Sequence, residues 1–345
     1  MVPYKNKILY FLFLALLLFT SSTYAGRGDK AGTASGVQLL IPIGARTIGM
    51  GCSPLANLRG VEAIYLNPAG FGFSEDKYQV MFSTMSWIAD INVNYVAVGT
   101  VLDNIGSIGL SVKSLSVGKI QITTEDEPDG TGETTSPTFL TIGGTFARKI
   151  TDNISVGFTS NIIYEKMANV SLTSICFNVG VQYVNIGGVN GLSVGALIRN
   201  IGPEVKYDGI GLLREADVTD ALRENSIVKI EADEAELPST IEIGLGYKRN
   251  ISGGNNINFT SLFQNNNFSN DEYKFGMEYD YDNIFFIRSG AIFSSSAENQ
   301  ENIFGPAFGL GVNTKVKNVK ILVDYAYRKL RYFNGNHVFS ILLKF

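Results

Sequence analysis

The sequence predicts an all-β protein, a transmembrane antiparallel β-barrel of about 14 strands with an N-terminal hatch segment in its lumen. Three observations predict this fold. Strand-length segments alternate apolar and polar residues along most of the chain, and the connections between them alternate between short and long. An apolar N-terminal leader is followed by no second apolar run that approaches the length of a membrane helix. A chain of this kind would cross a membrane with strands.

Residues 1–25 are predicted to be a secretory signal peptide. Two lysines precede the apolar run of residues 8–19, and Thr23 and Ala25 put small residues at the two positions that specify cleavage after Ala25. An uncleaved N-terminal anchor helix is the alternative. The apolar run is short for a span of roughly 20 residues, so cleavage is favoured.

Composition excludes several classes of function. The formal net charge is −4, and loss of the leader would remove two lysines and make it more negative, so nucleic acid is not expected as a partner. Cys52 and Cys176, together with a single histidine, are too few for a disulfide-rich scaffold or a structural zinc site. We therefore expect no metal and no cofactor.

Residues 26–77 do not resemble membrane strands and are predicted to form a hatch. They contain "IPIGARTIGMG" (residues 41–51) and "VEAIYLNPAGFG" (residues 61–72), whose glycines permit tight turns and close backbone approach. Val61 to Leu66 could form a short helical turn that ends before Pro68, because proline disfavours helical geometry at Asn67. A periplasmic leader is the alternative to a plug folded into the lumen.

Residues 78–345 are predicted to form the barrel. In Val319–Tyr327, for example, valine, isoleucine and tyrosine alternate with Lys320, Leu322, Asp324 and Ala326. This alternation is typical of strands with lipid on one side and a polar lumen on the other, although a soluble sandwich also alternates. The predicted strands are 78–88, 91–102, 105–117, 137–149, 153–166, 172–186, 191–201, 239–249, 255–264, 272–281, 283–294, 304–315, 318–329 and 337–345.

The connections separate the membrane barrel from the soluble sandwich. Links after even-numbered strands are short, whereas several after odd-numbered strands are long, above all about 118–136 and 202–238. Short turns on one rim and long loops on the other are typical of outer-membrane barrels. We therefore expect the protein in the bacterial cell outer membrane, in contact with outer-membrane lipids.

The last strand carries a candidate assembly signal. Phe339, Ile341, Leu343 and Phe345 share one apolar face, and a soluble domain gains little from such a face at its end. The pattern resembles the C-terminal signal that the bacterial outer-membrane insertion machinery reads, which makes that machinery an expected partner. An ordinary final strand of a soluble sheet is the alternative.

The hatch segment also resembles a known family. "GARTIGMG", followed by "AIYLNPAG", is similar to the N-terminal signature of the PorV/PorQ group of outer-membrane proteins, which is related to the FadL-type transporters of hydrophobic compounds. "WIADINVNYVAVG" (residues 87–99) and the last strands match the group as well. The resemblance implies a barrel of fourteen strands with a hatch. The hatch-motif residues are Gly44, Ala45, Arg46, Gly49, Met50, Gly51, Asn67, Pro68, Ala69 and Gly70.

The resemblance implies two functions. PorV-like members serve type IX protein secretion, with secretion-system proteins or the C-terminal domains of cargo as partners. FadL-like members pass hydrophobic small molecules across the outer membrane. An inert structural barrel is a third possibility. No enzyme is expected, because a serine nucleophile needs a base and the single histidine, His337, begins the last strand.

Three side-chain arrangements stay open on sequence alone. Arg288 and Glu278 are predicted to face the lumen from neighbouring strands, as a rigidifying ion pair or as a gating contact. Cys52 and Cys176 are both predicted to face the lumen, either free or joined by a disulfide. The acidic run 231–236 is predicted to be a solvated outer loop, with weak cation binding as the alternative.

Overall fold

The computed structural model describes residues 30, 32–216, 226–295 and 303–345. The predicted signal peptide lies outside the described residues. Within the described ranges, no helix has the length and apolar character needed to cross a membrane.

Fourteen antiparallel strands close into a barrel, and two small hairpins lie in its loops. In chain order the strands are β1 (Tyr78–Ser86), β2 (Asn92–Leu102), β3 (Gly106–Ser116), β4 (Ile120–Gln121), β5 (Thr134–Thr135), β6 (Thr138–Lys149), β7 (Ile154–Met167), β8 (Val170–Val184), β9 (Leu192–Ile201), β10 (Leu213–Ala216), β11 (Ser226–Lys229), β12 (Thr240–Ser252), β13 (Asn255–Asn266), β14 (Glu272–Tyr281), β15 (Phe285–Ser294), β16 (Phe304–Val316), β17 (Val319–Leu330) and β18 (Asn336–Lys344). Pairing of β1 with β18 closes the ring.

The prediction of a fourteen-stranded barrel is confirmed, and each predicted strand agrees with an observed one to within a few residues at its ends. The hairpins β4–β5 and β10–β11 were not predicted. Their strands have two and four residues, too few to show a period-two pattern.

The two rims of the barrel differ. Tight turns such as the one between β16 and β17 lie on the inner rim, together with the start of β1 and the end of β18. The long loops between β3 and β6 and between β9 and β12 lie on the outer rim. Outer-membrane barrels place short turns in the periplasm and long loops outside the cell, so the outer rim faces the exterior.

Side chains alternate between the two faces of each strand as predicted. On β17, Val323 points outward with 46% of its surface exposed, whereas Asp324, Ala326 and Arg328 are buried in the lumen. Outward positions on neighbouring strands are also apolar, including Leu310 and Phe339. An apolar exterior with a polar interior suits a bilayer.

Short helices of the hatch fill the lumen. They are the 3₁₀-helices Val37–Leu40, Gly60–Glu62 and Pro68–Phe73 and the α-helices α1 (Ala45–Gly49) and α2 (Ala63–Leu66). Helix α1 packs against β15 to β18, and the Pro68–Phe73 helix packs against β6 to β8 on the opposite wall. The largest fully buried apolar side chains include Phe71, Ile48, Met50 and Leu55 of the hatch. The interior of the protein is therefore built around this segment.

The final strand points its alternate apolar side chains outward. Phe339 is 54% exposed and Ile341 is 43% exposed, and the Phe345 amide donates to the Tyr78 carbonyl at 2.9 Å. This orientation suits lipid contact. The role of these residues as an assembly signal stays a prediction.

Phe345→Asp is expected to lower the amount of folded protein that reaches the outer membrane. The substitution puts a charge beside the bilayer and removes the aromatic end of the β1–β18 seam. The measurement is the yield of heat-modifiable barrel in outer-membrane fractions. Phe333→Asp is the matched control, because Phe333 is 47% exposed in the β17–β18 loop. Equal yields for both variants and the wild type would contradict the prediction.

Candidate functional site

The hatch turns sharply at Asn67, where α2 ends as predicted. Asn67 is extended (φ −153°, ψ 105°), and its side-chain oxygen accepts a hydrogen bond from the Ala69 amide at 3.1 Å. Its side-chain nitrogen donates to the carbonyls of Leu55 and Val181, each at 3.2 Å. A single buried amide thus joins two parts of the hatch to strand β8.

Pairs of glycines on the lumen face form the seat of the hatch. The two glycines of each pair lie directly opposite each other on neighbouring strands, so neither strand has a side chain at that point. The pairs are Gly99 with Gly109, Gly157 with Gly180, Gly195 with Gly244, and Gly276 with Gly290. A Cβ atom at Gly109 would lie 2.6 Å from the Ile64 side chain, and one at Gly244 would lie 2.9 Å from Leu55. Only a wall without side chains at these points admits the hatch so closely.

The "GARTIGMG" residues lie against this wall. The Ala45 amide donates to the Ser340 hydroxyl at 2.8 Å. Gly49 is so near β16 that a Cβ atom there would meet the Gly309 backbone at 3.1 Å. Gly51 has φ 63° and a similarly close approach to Ala291, whereas Gly44 has φ 85°. Both φ values lie in the left-handed region that favours glycine.

Asn67, Pro68, Ala69 and Gly70 lie toward the opposite wall, whereas Met50 lies with Gly51 against β14 and β15. Met50 is fully buried, and Pro68 and Ala69 press against Gly157 of β7. Gly70 packs against the Leu58 carbonyl within the hatch itself. All ten motif residues are therefore in the packed interior. Any role for them beyond seating the hatch stays a prediction.

Arg46 fastens the hatch to the wall through a shared carboxylate. Its Nε and Nη2 atoms donate to the two oxygens of Glu278 at 2.9 and 2.8 Å. Arg288 donates to Glu278 at 2.6 Å and to Asp324 at 2.5 Å, and Arg46 also pairs with Glu62 at 3.2 Å. The predicted Arg288–Glu278 pair is present, and it belongs to a cluster of five charged groups. Bidentate contacts of this kind fix orientation strongly.

The electrostatics of Arg46 reflect this cluster. Burial alone would lower the pKa of Arg46, but the carboxylates of Glu278 and Glu62 outweigh burial and raise that pKa above its usual value. Arg46 is therefore charged at neutral pH. The sequence did not assign it a partner, since Glu278 lies 232 residues away.

Two cations from the wall hold the upper part of the hatch. Lys113 donates to the carbonyls of Gln38 and Ile41, both at 2.6 Å, and Arg199 donates to the Leu66 carbonyl at 3.0 Å. Both cations pack on the Tyr65 ring, at 4.8 and 4.9 Å from its centroid. Burial raises the pKa of the Tyr65 hydroxyl, which therefore remains protonated. Cation–π contacts of this kind gain strength away from water.

Above the hatch, toward the outer rim, lies a pocket of about 350 Å³, here called the vestibule. Hatch residues Cys52, Tyr65 and Leu66 contribute to its lining. The barrel wall contributes Trp87, Phe304, Lys274, Arg328 and Ile292. The vestibule is both aromatic and charged, and every neighbouring strand pair of the surrounding wall is hydrogen-bonded.

The two cysteines are free. Both lie in the interior, Cys176 as its strand parity predicts and Cys52 as its place in the hatch predicts, but Cys52 packs in the main lumen cluster and Cys176 packs with Leu39, Ile163 and Leu237. Strand parity predicts the face on which Cys176 lies but not the height of either cysteine along the barrel axis.

The loop between β9 and β12 is organised by local contacts. Backbone bridges join Val205 to Ala235, and Lys206 pairs with Glu231 at 2.6 Å. The exposed end of this loop carries apolar side chains, with Ile210 70% and Ile227 71% exposed. The acidic run 231–236 was predicted to be simply solvated, but Glu236 also pairs with Lys30 at 3.2 Å.

The single histidine of the sequence faces away from the lumen. His337 lies on the outward face, where its Nδ1 atom is 2.8 Å from the Tyr325 hydroxyl. Among the described residues, no group of three or more histidine, cysteine, aspartate or glutamate residues could hold a metal ion.

Comparison with known proteins gives one family match. The model of the family described as "Type IX secretion system protein PorV" matches residues 26–223. No match to a curated protein was found by sequence comparison.

Three solved structures are similar to this chain in fold. The CymD monoaromatic hydrocarbon channel has a TM-score of 0.56 at 13% identity, with 89% of this chain and 98% of that chain covered. The Pseudomonas putida toluene transporter TodX has a TM-score of 0.54 at 10% identity, with 87% and 96% covered. A Pseudomonas aeruginosa FadL homologue has a TM-score of 0.53 at 9% identity, with 88% and 98% covered. At these identities the likeness shows the fold alone.

Proposed function

Because the chain belongs to the PorV family of type IX secretion system proteins, we propose that it works in type IX secretion as a hatch-closed barrel that binds protein partners through its outer loops. In this proposal residues 1–25 are the signal peptide, 26–77 the hatch and 78–345 the barrel. The partners are secretion-system proteins or the C-terminal domains of cargo.

The contacts that hold the hatch in the lumen are the observation that supports this proposal. A channel for small molecules needs a continuous path past the hatch. Here Arg46 is bidentate to Glu278, and glycine pairs bring the wall against the hatch backbone. A hatch held at several points suits a protein whose work lies on its outer surface.

The outer loops offer a surface for such work. Ile210, Ile227 and Ile230 are each more than half exposed, at the end of a loop braced by the Lys206–Glu231 pair. We name these three side chains the apolar crest. Exposed apolar groups close together in an outer loop are typical of protein-binding surfaces.

Deletion of the gene in its own bacterium tests the proposal. Type IX cargo is expected to stop reaching the cell surface and to accumulate in the periplasm, and the wild-type gene restores delivery. The double variant Ile210→Ser/Ile227→Ser is expected to restore folded barrel but not delivery. Ile150→Ser is the matched control, because Ile150 is 58% exposed in an inner-rim turn. Normal cargo delivery in the deletion strain would contradict the proposal.

The vestibule favours a second candidate function, FadL-like transport of hydrophobic small molecules. Its apolar and aromatic lining could receive such a molecule from the outer rim. The same deletion strain separates the two functions. Reduced uptake of a hydrophobic probe such as toluene, with cargo delivery intact, would favour transport over secretion.

A further inference from the structure

Arg328 is a fully buried cation beside the vestibule. It is 1% exposed, and the rings of Trp87 and Phe304 pack against its guanidinium group, with centroids 5.0 and 4.2 Å away. Its Nε and Nη2 atoms both donate to the side-chain oxygen of Asn336, at 3.1 and 2.9 Å. Asn336 is itself held by the Ser86 carbonyl. The guanidinium is thus fixed in place and lines the pocket.

In the described part of the chain, no carboxylate forms an ion pair with Arg328, although the charge of Glu272 acts on it from a longer distance. The other buried arginines of the wall differ, since Arg288 pairs with Glu278 and Arg199 pairs with Glu242. Glu272 also lines the vestibule, but it pairs with Lys274 at 2.9 Å. A buried, unpaired cation is costly unless an anion accompanies it.

The rest of the pocket limits the anion to one with a single charge and an apolar body. Lys274 donates to Gln264 at 2.6 Å, and Gln264 donates to Asn266 at 2.6 Å, so this polar wall is already hydrogen-bonded within itself. The remaining lining is largely apolar, with Val37, Leu40 and Ile292 among its residues. One cation without an ion-pair partner balances the single charge of a carboxylate, whereas a doubly charged phosphate would need a second such cation.

We propose that the vestibule binds a carboxylate attached to a compact apolar body, with Arg328 as its anchor. The guanidinium group retains N–H donors beyond those bound to Asn336, and guanidinium–carboxylate contacts are among the stronger hydrogen bonds in proteins. A volume of about 350 Å³ lies at the small end of ligand pockets. The carboxylate comes either from a free organic acid or from the C-terminus of a peptide with apolar last residues. The proposal is independent of the secretion role.

The chain provides its own reporter for binding. Trp87 is the single tryptophan of the sequence and packs on Arg328. The purified full-length barrel in detergent micelles is titrated with 3-phenylpropionate and with a tetrapeptide ending in a free C-terminal phenylalanine. The neutral counterparts, 3-phenylpropanol and the peptide C-terminal amide, serve as controls. A saturable change in Trp87 fluorescence with either carboxylate, at least tenfold weaker with its neutral counterpart, is expected.

Two variants address the anchor. Arg328→Gln is expected to weaken carboxylate binding at least tenfold, and Arg249→Gln, at an exposed arginine near the inner rim, is expected to leave it unchanged. Asn336→Asp keeps Arg328 but gives it an internal carboxylate, so this variant is expected to fold and also to lose binding. The carboxylate that binds identifies the source. Equal binding of acid and neutral probe, binding of neither carboxylate, or wild-type affinity in Asn336→Asp would overturn the proposal.

Discussion

Glu278→Ala is expected to destabilise the folded protein by about 3–5 kcal/mol, because it leaves two buried guanidinium groups without their shared carboxylate. Glu278 is 3% exposed and accepts hydrogen bonds from both Arg46 and Arg288. Asp324 alone cannot replace it, since Asp324 bonds only Arg288 in the described cluster. The measurement is the free energy of unfolding in micelles, from urea titration of the heat-modifiable band.

Controls for this prediction separate the hatch contact from the wall contact. Glu75→Ala removes a carboxylate whose side chain is 88% exposed and is expected to change stability by no more than about 0.5 kcal/mol. A double-mutant cycle of Arg46→Ala with Glu278→Ala is expected to show strong coupling. Strictly additive effects would mean that Arg46 does not depend on Glu278.

Loosening of the hatch is expected as a second effect of Glu278→Ala. Cys52 lies in the hatch with 4% of its surface exposed, so a thiol reagent should reach it slowly in the wild type. In a Cys176→Ser background, we expect the thiol reagent to label Cys52 faster in the Glu278→Ala variant than in the parent. Unchanged labelling together with lost stability would place the damage in the wall and not in the hatch.

The barrel could be predicted from sequence because its signal is local. Successive side chains of each strand point alternately to lipid and to the lumen. The residues next to Val323 and Asp324 in the sequence are therefore enough to predict which side each of them faces. The contrast between short and long connections then gave the two rims. The hairpins β4–β5 and β10–β11 carry too few residues for such a signal.

The seat of the hatch could not be predicted in the same way. Gly276 and Gly290 face each other across a strand pair, but a glycine has no side chain to mark a contact with Met50 or Gly51. Strand-interior glycines recurring on the lumen face are the available signal, since glycine otherwise weakens a strand. Likewise, the alternation along its strand predicts that Glu278 faces the lumen, but it does not predict the position of Glu278 along the barrel axis. The hydrogen bond to Arg46 is therefore known only from the structure.

Leu310→Arg is expected to destabilise the barrel by roughly 2–4 kcal/mol, the cost of an arginine that faces lipid near the bilayer midplane. Leu310 lies in the middle of β16 with 58% of its surface exposed, and Ile287 on the paired strand is 59% exposed. Neither position has a lumen contact that the substitution would disturb. A urea titration of the barrel in lipid vesicles measures the change.

Ile227→Arg is the matched control for the lipid face. Ile227 is even more exposed, at 71%, but it lies in the outer loop between β9 and β12, where water can solvate the new charge. Exposure by itself therefore predicts that both substitutions are harmless, whereas a bilayer around β16 predicts that only Leu310→Arg is costly. Equal stability of the two variants in bilayers would mean that the outward face of β16 is not in contact with lipid, and the same face of its neighbours would need another partner.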